Sequence, residues 1–180
     1  MEARIRFNYS EVVAEVLNKT ELAARSIENA ENITSTENMK ANTEEYSVSQ
    51  ILRSIRNAIV TILPLMAQYD SIWGERTENG YTSYAEGDAT LAYYIDEDGK
   101  PVCSENEGIY LLSLPSNFDV TMVDALPSMI HSFVVNMVLY DWFLLTCPAI
   151  AAPYKQNADN DLATIKVALS RRVRPSRSRN

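Results

Sequence analysis

This chain of 180 residues predicts a mainly α fold, an antiparallel bundle of about four helices. Three observations carry that expectation. The stretch 122–145, MVDALPSMIHSFVVNMVLYDWFLL, is the longest apolar run in the chain and follows a three-to-four spacing in its first half. Three other segments repeat apolar residues at the same spacing, enough to surround it. The whole chain holds only five glycines, too few for an all-β domain with many tight turns. One domain is expected over 1–172, with a small antiparallel β-hairpin element inserted at about 76–115. An extended basic tail follows at 173–180.

In chain order, Ser10 with Glu11 in the first turn predicts the start of a helix over about 11–29, with a possible break near Asn18–Thr20. Val12, Val13, Val16, Leu17, Leu22, Ala23 and Ile27 form its stripe. The stretch 28–43, rich in Asn and Thr, reads as a loop or a frayed helix, because such side chains compete for backbone hydrogen bonds. Ser47 with Gln50 fits a capping box. Val48, Ile51, Leu52, Ile55, Ile59, Ile62, Leu63 and Met66 make a clean second stripe, with Arg53, Arg56 and Asn57 opposite. Pro64 should kink that helix or end it within a turn.

Between 71 and 115 the period changes. Gly80, Gly87, Gly99 and Gly108 fall here, and TLAYYI and GIYLLS are rich in β-branched and aromatic residues. Asp96–Lys100, DEDGK, reads as a hairpin loop with Gly99 at the left-handed position rather than a calcium loop, which would need a helical flank. Asp119 or Asp124 should cap the long helix, and Cys147-Pro148 should stop it. His131, Ser132, Asn136 and Asp141 interrupt its apolar surface, and no basic cluster flanks it. It therefore reads as a core helix and not a membrane span. A last helix over about 152–171 takes Tyr154, Ala158, Leu162, Ile165, Val167 and Leu169 as its face.

Charge is unevenly spread. The net charge is −8, and between Asp70 and Tyr110 ten acids stand against two bases. The last ten residues, RRVRPSRSRN, hold five arginines and no acid. The overall balance argues against nucleic-acid binding as the main task. No glycine-rich phosphate loop is present. One histidine and two cysteines, Cys103 and Cys147, cannot supply a conventional zinc site, and they read as reduced thiols. Without a hydrophobic leader, the N-terminus MEARIRFNYSE does not suggest secretion. No catalytic, cofactor or metal residues are expected, and His131 reads as a structural histidine. Asp141, in the most apolar stretch, needs a partner: Arg53 or Arg56 in the core, or another subunit. Tyr93, Tyr94, Asp96 and Asp98 mark a possible interface on the β element, where aromatic rings with polar tips suit a contact.

The order of these parts carries a resemblance. The run LLSLPSNFD leads into VVNMVLYDWF, then APYKQNADNDLATIKVAL and the tail RRVRPSRSRN, with two helices and a β insertion upstream. This resembles the head–tail adaptor (connector) proteins of tailed bacteriophages. The resemblance implies a non-enzymatic virion structural protein, made in the host cytoplasm, that forms a ring of about twelve copies. It implies docking beneath the portal through Arg171, Arg172, Arg174, Pro175, Arg177 and Arg179, with the β insertion meeting the next tail component. Genomic DNA would pass through such a ring without specific binding, and no membrane is involved. Arginines suit an arm of this kind because they fork carboxylates bidentately. The alternative is a soluble regulatory or scaffold-binding module whose basic tail binds an acidic protein or nucleic acid. In either case the long helix would hold the β insertion at one end and, through the last helix, the arginine arm at the other.

Overall fold

The computed structural model describes residues 2–31, 36–67, 72–77, 80–83, 93–95, 101–103 and 107–172, and these are mainly helical. Strand β1 (Glu2–Asn8) runs directly into helix α1 (Tyr9–Glu31). Asn8 makes that transition. Its Oδ1 accepts hydrogen bonds from the Ser10 amide at 3.0 Å and the Ser10 hydroxyl at 2.7 Å, which satisfies a donor the first helical turn leaves without an intrahelical partner. The cap is thus Asn8 and not Ser10, and the helix runs through 18–20 without a break. Thr20 is fully buried and donates its hydroxyl to the Leu17 carbonyl at 2.9 Å, so its polar atom does not compete with the helical ladder.

The segment after α1 is held in place where it is described. A short 3₁₀ turn (Glu37–Met39) buries Met39, and the Trp142 indole N–H donates to the Met39 carbonyl at 2.8 Å. The Ala41 amide donates to Thr20 Oγ1 at 3.1 Å. Helix α2 (Glu45–Ala67) follows, with the Glu44 amide bonded to Asn42 Oδ1 just ahead of it. Ser47 lies inside this helix and is buried, so it does not cap it. The apolar stripe from Val48 to Met66 is buried as its spacing requires, while Arg53, Arg56 and Asn57 face solvent. Pro64 stands in the last turn and the helix continues to Ala67; near the end, its missing N–H costs one bond of the ladder.

Five more strands follow: β2 (Ile72–Thr77), β3 (Gly80–Ser83), β4 (Tyr93–Ile95), β5 (Pro101–Cys103) and β6 (Glu107–Ser113). One sheet has the order β1-β6-β2-β3, and β4 pairs with β5 separately. All pairings are antiparallel, with Glu2 opposite Ser113 and Asn8 opposite Glu107 in the first. The N-terminal strand was not anticipated from the sequence.

Helix α3 (Val120–Thr146) is capped by Asp119, whose Oδ1 accepts from the Thr121 amide at 3.2 Å and the Thr121 hydroxyl at 2.7 Å. With Asp119 and not Asp124 at the cap, Pro127 falls inside the helix. Leu126, Ile130, Phe133, Val134, Val135, Val138, Leu139, Trp142 and Phe143 are all buried, which is more than one face. The cause is the packing: α3 is long and apolar enough to cross a membrane, yet α1 and α2 lie against it and helix α4 (Ala151–Ser170) packs along it most extensively. Small residues, Ala151, Ala158 and Ala168, sit at the α4 contact with Ile165 and Leu169, while Phe143 and Tyr154 stack at 5.2 Å. Val167, expected on that face, is 67% exposed; Ala168 takes its place. The paired residues give the direction. Tyr154 meets Phe143, Asp161 meets Ser132 and Arg171 meets Asp119, so α4 runs antiparallel to α3.

Candidate functional site

The first site is the root of the C-terminal tail. As α4 ends, Arg171 Nε forms an ion pair with Asp119 Oδ2 at 3.2 Å, so one carboxylate caps α3 with one oxygen and holds Arg171 with the other. The Asp119 amide faces the Arg171 carbonyl at 3.5 Å, Phe118 and Arg172 form an antiparallel bridge, and the Arg172 guanidinium lies 5.3 Å above the Phe118 ring. The hydrogen bonds from Thr121, aided by the charge of Arg171, hold the Asp119 carboxyl below the usual carboxylate range against partial desolvation.

Arg171 and Arg172, expected to meet a partner, lie against Asp119 and Phe118 of their own chain, because α4 returns them to the N-terminus of α3. The end of α4 is therefore at the same end of α3 as the end of β6, and not at the opposite one as expected. Leu114, the residue after β6, and Arg172 both lie at the Asp119 end. The expectation for Arg174, Pro175, Arg177 and Arg179 falls outside the described residues, as do Asp96 and Asp98.

Tyr93 and Tyr94 lie on β4, opposite Cys103 and Val102 on β5. Asp141 is half-buried on α3 and has no ion pair among the described residues. The expected core pair with Arg53 or Arg56 does not form, because those arginines occupy the solvent face of α2 while α3 packs on its apolar face.

The second site is a cleft of about 360 Å³ where the start of α1 meets α3, lined by Asn8, Glu11, Glu15, Ser128, His131 and Ser132. Glu15 Oε2 lies 2.7 Å from His131 Nε2, and its other oxygen meets Lys19 at 2.7 Å. Burial works to raise the Glu15 pKa, but the hydrogen bonds and charges of Lys19 and His131 outweigh it and hold the carboxyl below its ordinary value. Beside the cleft, Asp161 Oδ2 on α4 accepts from the Ser132 hydroxyl and from Asn136 Nδ2, each at 2.8 Å. A carboxylate–imidazole pair thus stands next to two serines, Ser128 and Ser132, and the Ser132 hydroxyl donates to Asp161. Among the described residues, no group of three or more His, Cys, Asp or Glu side chains is placed to hold a metal ion.

Sequence reasoning identified neither polar cluster. The signals were present: Glu15 and Lys19 are an i, i+4 pair, and Asp161 interrupts the stripe of α4 where it faces Ser132 and Asn136. What no spacing within one helix supplies is the partner on the next. Comparison with known proteins returns no match to a family model, a curated protein or a solved structure.

Proposed function

We propose that this chain is a non-enzymatic virion structural protein, a ring-forming head–tail adaptor that docks under the portal through its arginine-rich tail and presents its β insertion to the next tail component. In this reading the fold is an antiparallel four-helix bundle with a small β element inserted between its halves and an extended tail. The observation that supports it most is the tail root. Arg171 and Arg172 are clasped to Asp119 and Phe118, so Arg174, Arg177 and Arg179 are carried by a segment whose origin is set by the fold. A fixed origin lowers the entropy lost when such an arm orders on an acidic surface. Repetition around a ring multiplies weak contacts.

The test is assembly. Light scattering and electron microscopy of the full chain with a portal ring should show rings of about twelve copies, a number that comes from the resemblance. Removing 173–180 should abolish docking while the helices remain folded. A chain that stays monomeric or dimeric with every portal tested, yet binds an acidic protein or nucleic acid through its tail, would replace this reading with that of a regulatory module.

A further inference from the structure

Charges of opposite sign stand without partners on two helices of this chain, and each has an exposed apolar side chain one turn away. Among the arginines whose side chains are described, Arg25 pairs with Glu21, Arg171 pairs with Asp119, and Arg172 lies over the Phe118 ring. Arg53 and Arg56 are exposed on α2 and make no ion pair among the described residues. Helix α2 holds no acid after Glu45, so it offers them no carboxylate of its own nearby. At i, i+7 and i+14, Tyr46, Arg53 and Val60 share one face, with Arg56 between the last two. Tyr46 is 83% exposed and Val60 49% exposed on that face.

The opposite charge is Asp141. Half-buried on α3, it has given up part of its hydration without a cation in return. Leu144 and Leu145, both exposed, follow it at i+3 and i+4 on the same face. No charged residue occurs from Trp142 to Tyr154, so this carboxylate stands at the edge of an uncharged turn. The two faces match in spacing as well as in sign. Along the axis, Arg56 and Val60 are about 6 Å apart, and Asp141 stands about 4.5–6 Å from the two leucines, at ~1.5 Å per residue. Laid together, a guanidinium meets a carboxylate where a valine meets a leucine. Tyrosine and arginine are also the side chains that protein interfaces select, because they bury large area and keep donors at their tips.

We infer that the face of Asp141, Leu144 and Leu145 docks on the face of Arg53, Arg56 and Val60 in a second copy of this chain. A second copy is the occupant because this chain carries both halves of the contact, and within one subunit neither half is used. Arginine suits the role, since its planar fork grips a carboxylate with two parallel hydrogen bonds. A contact between unlike faces leaves each copy one free face for the next, the arrangement that builds rings. The inference deepens the ring of the proposed adaptor reading, yet the contact itself needs only this chain.

Charge reversal and mixing test it on the full chain. Sedimentation should show self-association across the micromolar range. D141R and the double variant R53D/R56D should each weaken it about tenfold or more, because each sets like charges against one another. Mixed in equal amounts, the two variants should recover a complex, since the intact Asp141 of one still meets the intact arginines of the other. Phenylglyoxal labelling needs no variant. In unaltered protein, modification of Arg53 and Arg56, followed by peptide mass, should slow about threefold or more as concentration rises, while Arg25 should react at a constant rate. A wild-type chain that stays monomeric, association unchanged in both variants, or labelling of Arg53 and Arg56 that ignores concentration would overturn the inference. Loss in both variants without recovery on mixing would also overturn it where their helical circular dichroism is intact, and the labelling decides where it is not. Portal docking by a chain that fails these tests keeps the adaptor reading and moves its ring contact elsewhere. Association through these faces without any portal binding keeps the contact and removes that reading.

Discussion

Replacing Thr20 with valine should destabilise the protein out of proportion to the change in shape. Thr20 is fully buried in α1 and its hydroxyl serves two groups, donating to the Leu17 carbonyl at 2.9 Å and accepting from the Ala41 amide at 3.1 Å. Valine matches threonine in size and branching and carries a methyl where the hydroxyl was. The Leu17 carbonyl keeps its place in the helix. The Ala41 amide does not fare so well: Ala41 is buried, and its N–H would lose its acceptor without gaining water. A buried donor left unsatisfied costs about 1–3 kcal/mol, and the added methyl returns about 0.8 kcal/mol of that, so a net loss of about 0.2–2.2 kcal/mol is expected.

In a domain of this size, that loss corresponds to a fall in Tm of up to about 9 °C. Urea unfolding should show a lower midpoint at unchanged slope, because the native surface is unaltered. Hydrogen exchange separates this mechanism from simple repacking. The Ala41 amide should exchange about tenfold faster or more in T20V, each 1.4 kcal/mol of local opening being about tenfold. T20S keeps the hydroxyl and loses a methyl, at about 0.8 kcal/mol, and should leave Ala41 protected. A T20V protein within about 0.3 kcal/mol of wild type and with Ala41 equally protected would refute the reasoning, because the hydroxyl would then not be the anchor of the loop.

Two further perturbations test the polar clusters. D161A should cost about 1–2 kcal/mol by stripping the Ser132 hydroxyl and the Asn136 amide of their shared acceptor, and D161N, which keeps one acceptor oxygen, should cost less. Urea unfolding of D161A, N136A and the double variant should give a coupling of about 0.5–1.5 kcal/mol, and additive losses would dissolve the cluster into independent surface groups. The Glu15 carboxyl, held below its ordinary value in the fold, contributes stability that is fully present above the unfolded carboxylate value of about 4.3 and is lost as pH falls through the folded value. The stability gap between wild type and E15Q, measured by urea unfolding from pH 7 downward, should therefore close below about pH 4, and a gap constant with pH would show that the lowered pKa has no counterpart in stability.

The helices were legible because each carries its own evidence. The stripe from Val48 to Met66 and the run from Leu126 to Phe143 state their burial in their spacing, and Cys147-Pro148 marks a stop that the backbone obeys. Their ends were less legible. Asn8 outcompetes Ser10 as a cap because the chain enters α1 directly from a strand, and that strand exists by pairing with residues about 100 positions away. EARIRFN alternates Ala3, Ile5 and Phe7 with Arg4 and Arg6, a period of two that signals a strand, yet nothing local names the partner strand. Val167 and Ala168 exchange places for a related reason: the small side chain suits the close contact of α4 with α3, while spacing alone favours the larger one. The polar clusters require knowing which helices touch. His131 found Glu15 across 116 residues, and Asp119 found Arg171 across 52, distances over which periodicity says nothing.

The Asp119–Arg171 contact also changes what the long helix separates. Because α4 retraces α3, the end of β6 and the tail root meet at the N-terminal end of α3, and the acidic cleft lies about three turns further along it. At the far end the chain turns through Leu144 and Leu145, 48% and 68% exposed, then Pro148, Ala149, Ala152 and Pro153, all exposed, with no charged residue from Trp142 to Tyr154. The chain thus carries the β6 end and the Asp119–Arg171 pair at one end of α3 and an exposed apolar turn at the other. A chain with unlike ends suits head-to-tail or stacked association better than face-to-face pairing of one patch with itself, because the two ends offer different chemistry. In the proposed adaptor, the arm would find its partner by charge at one end of α3. The exposed leucines at the other end would gain only from contact with another apolar surface, so the two contacts would answer differently to salt: the arm would weaken and the apolar turn would not.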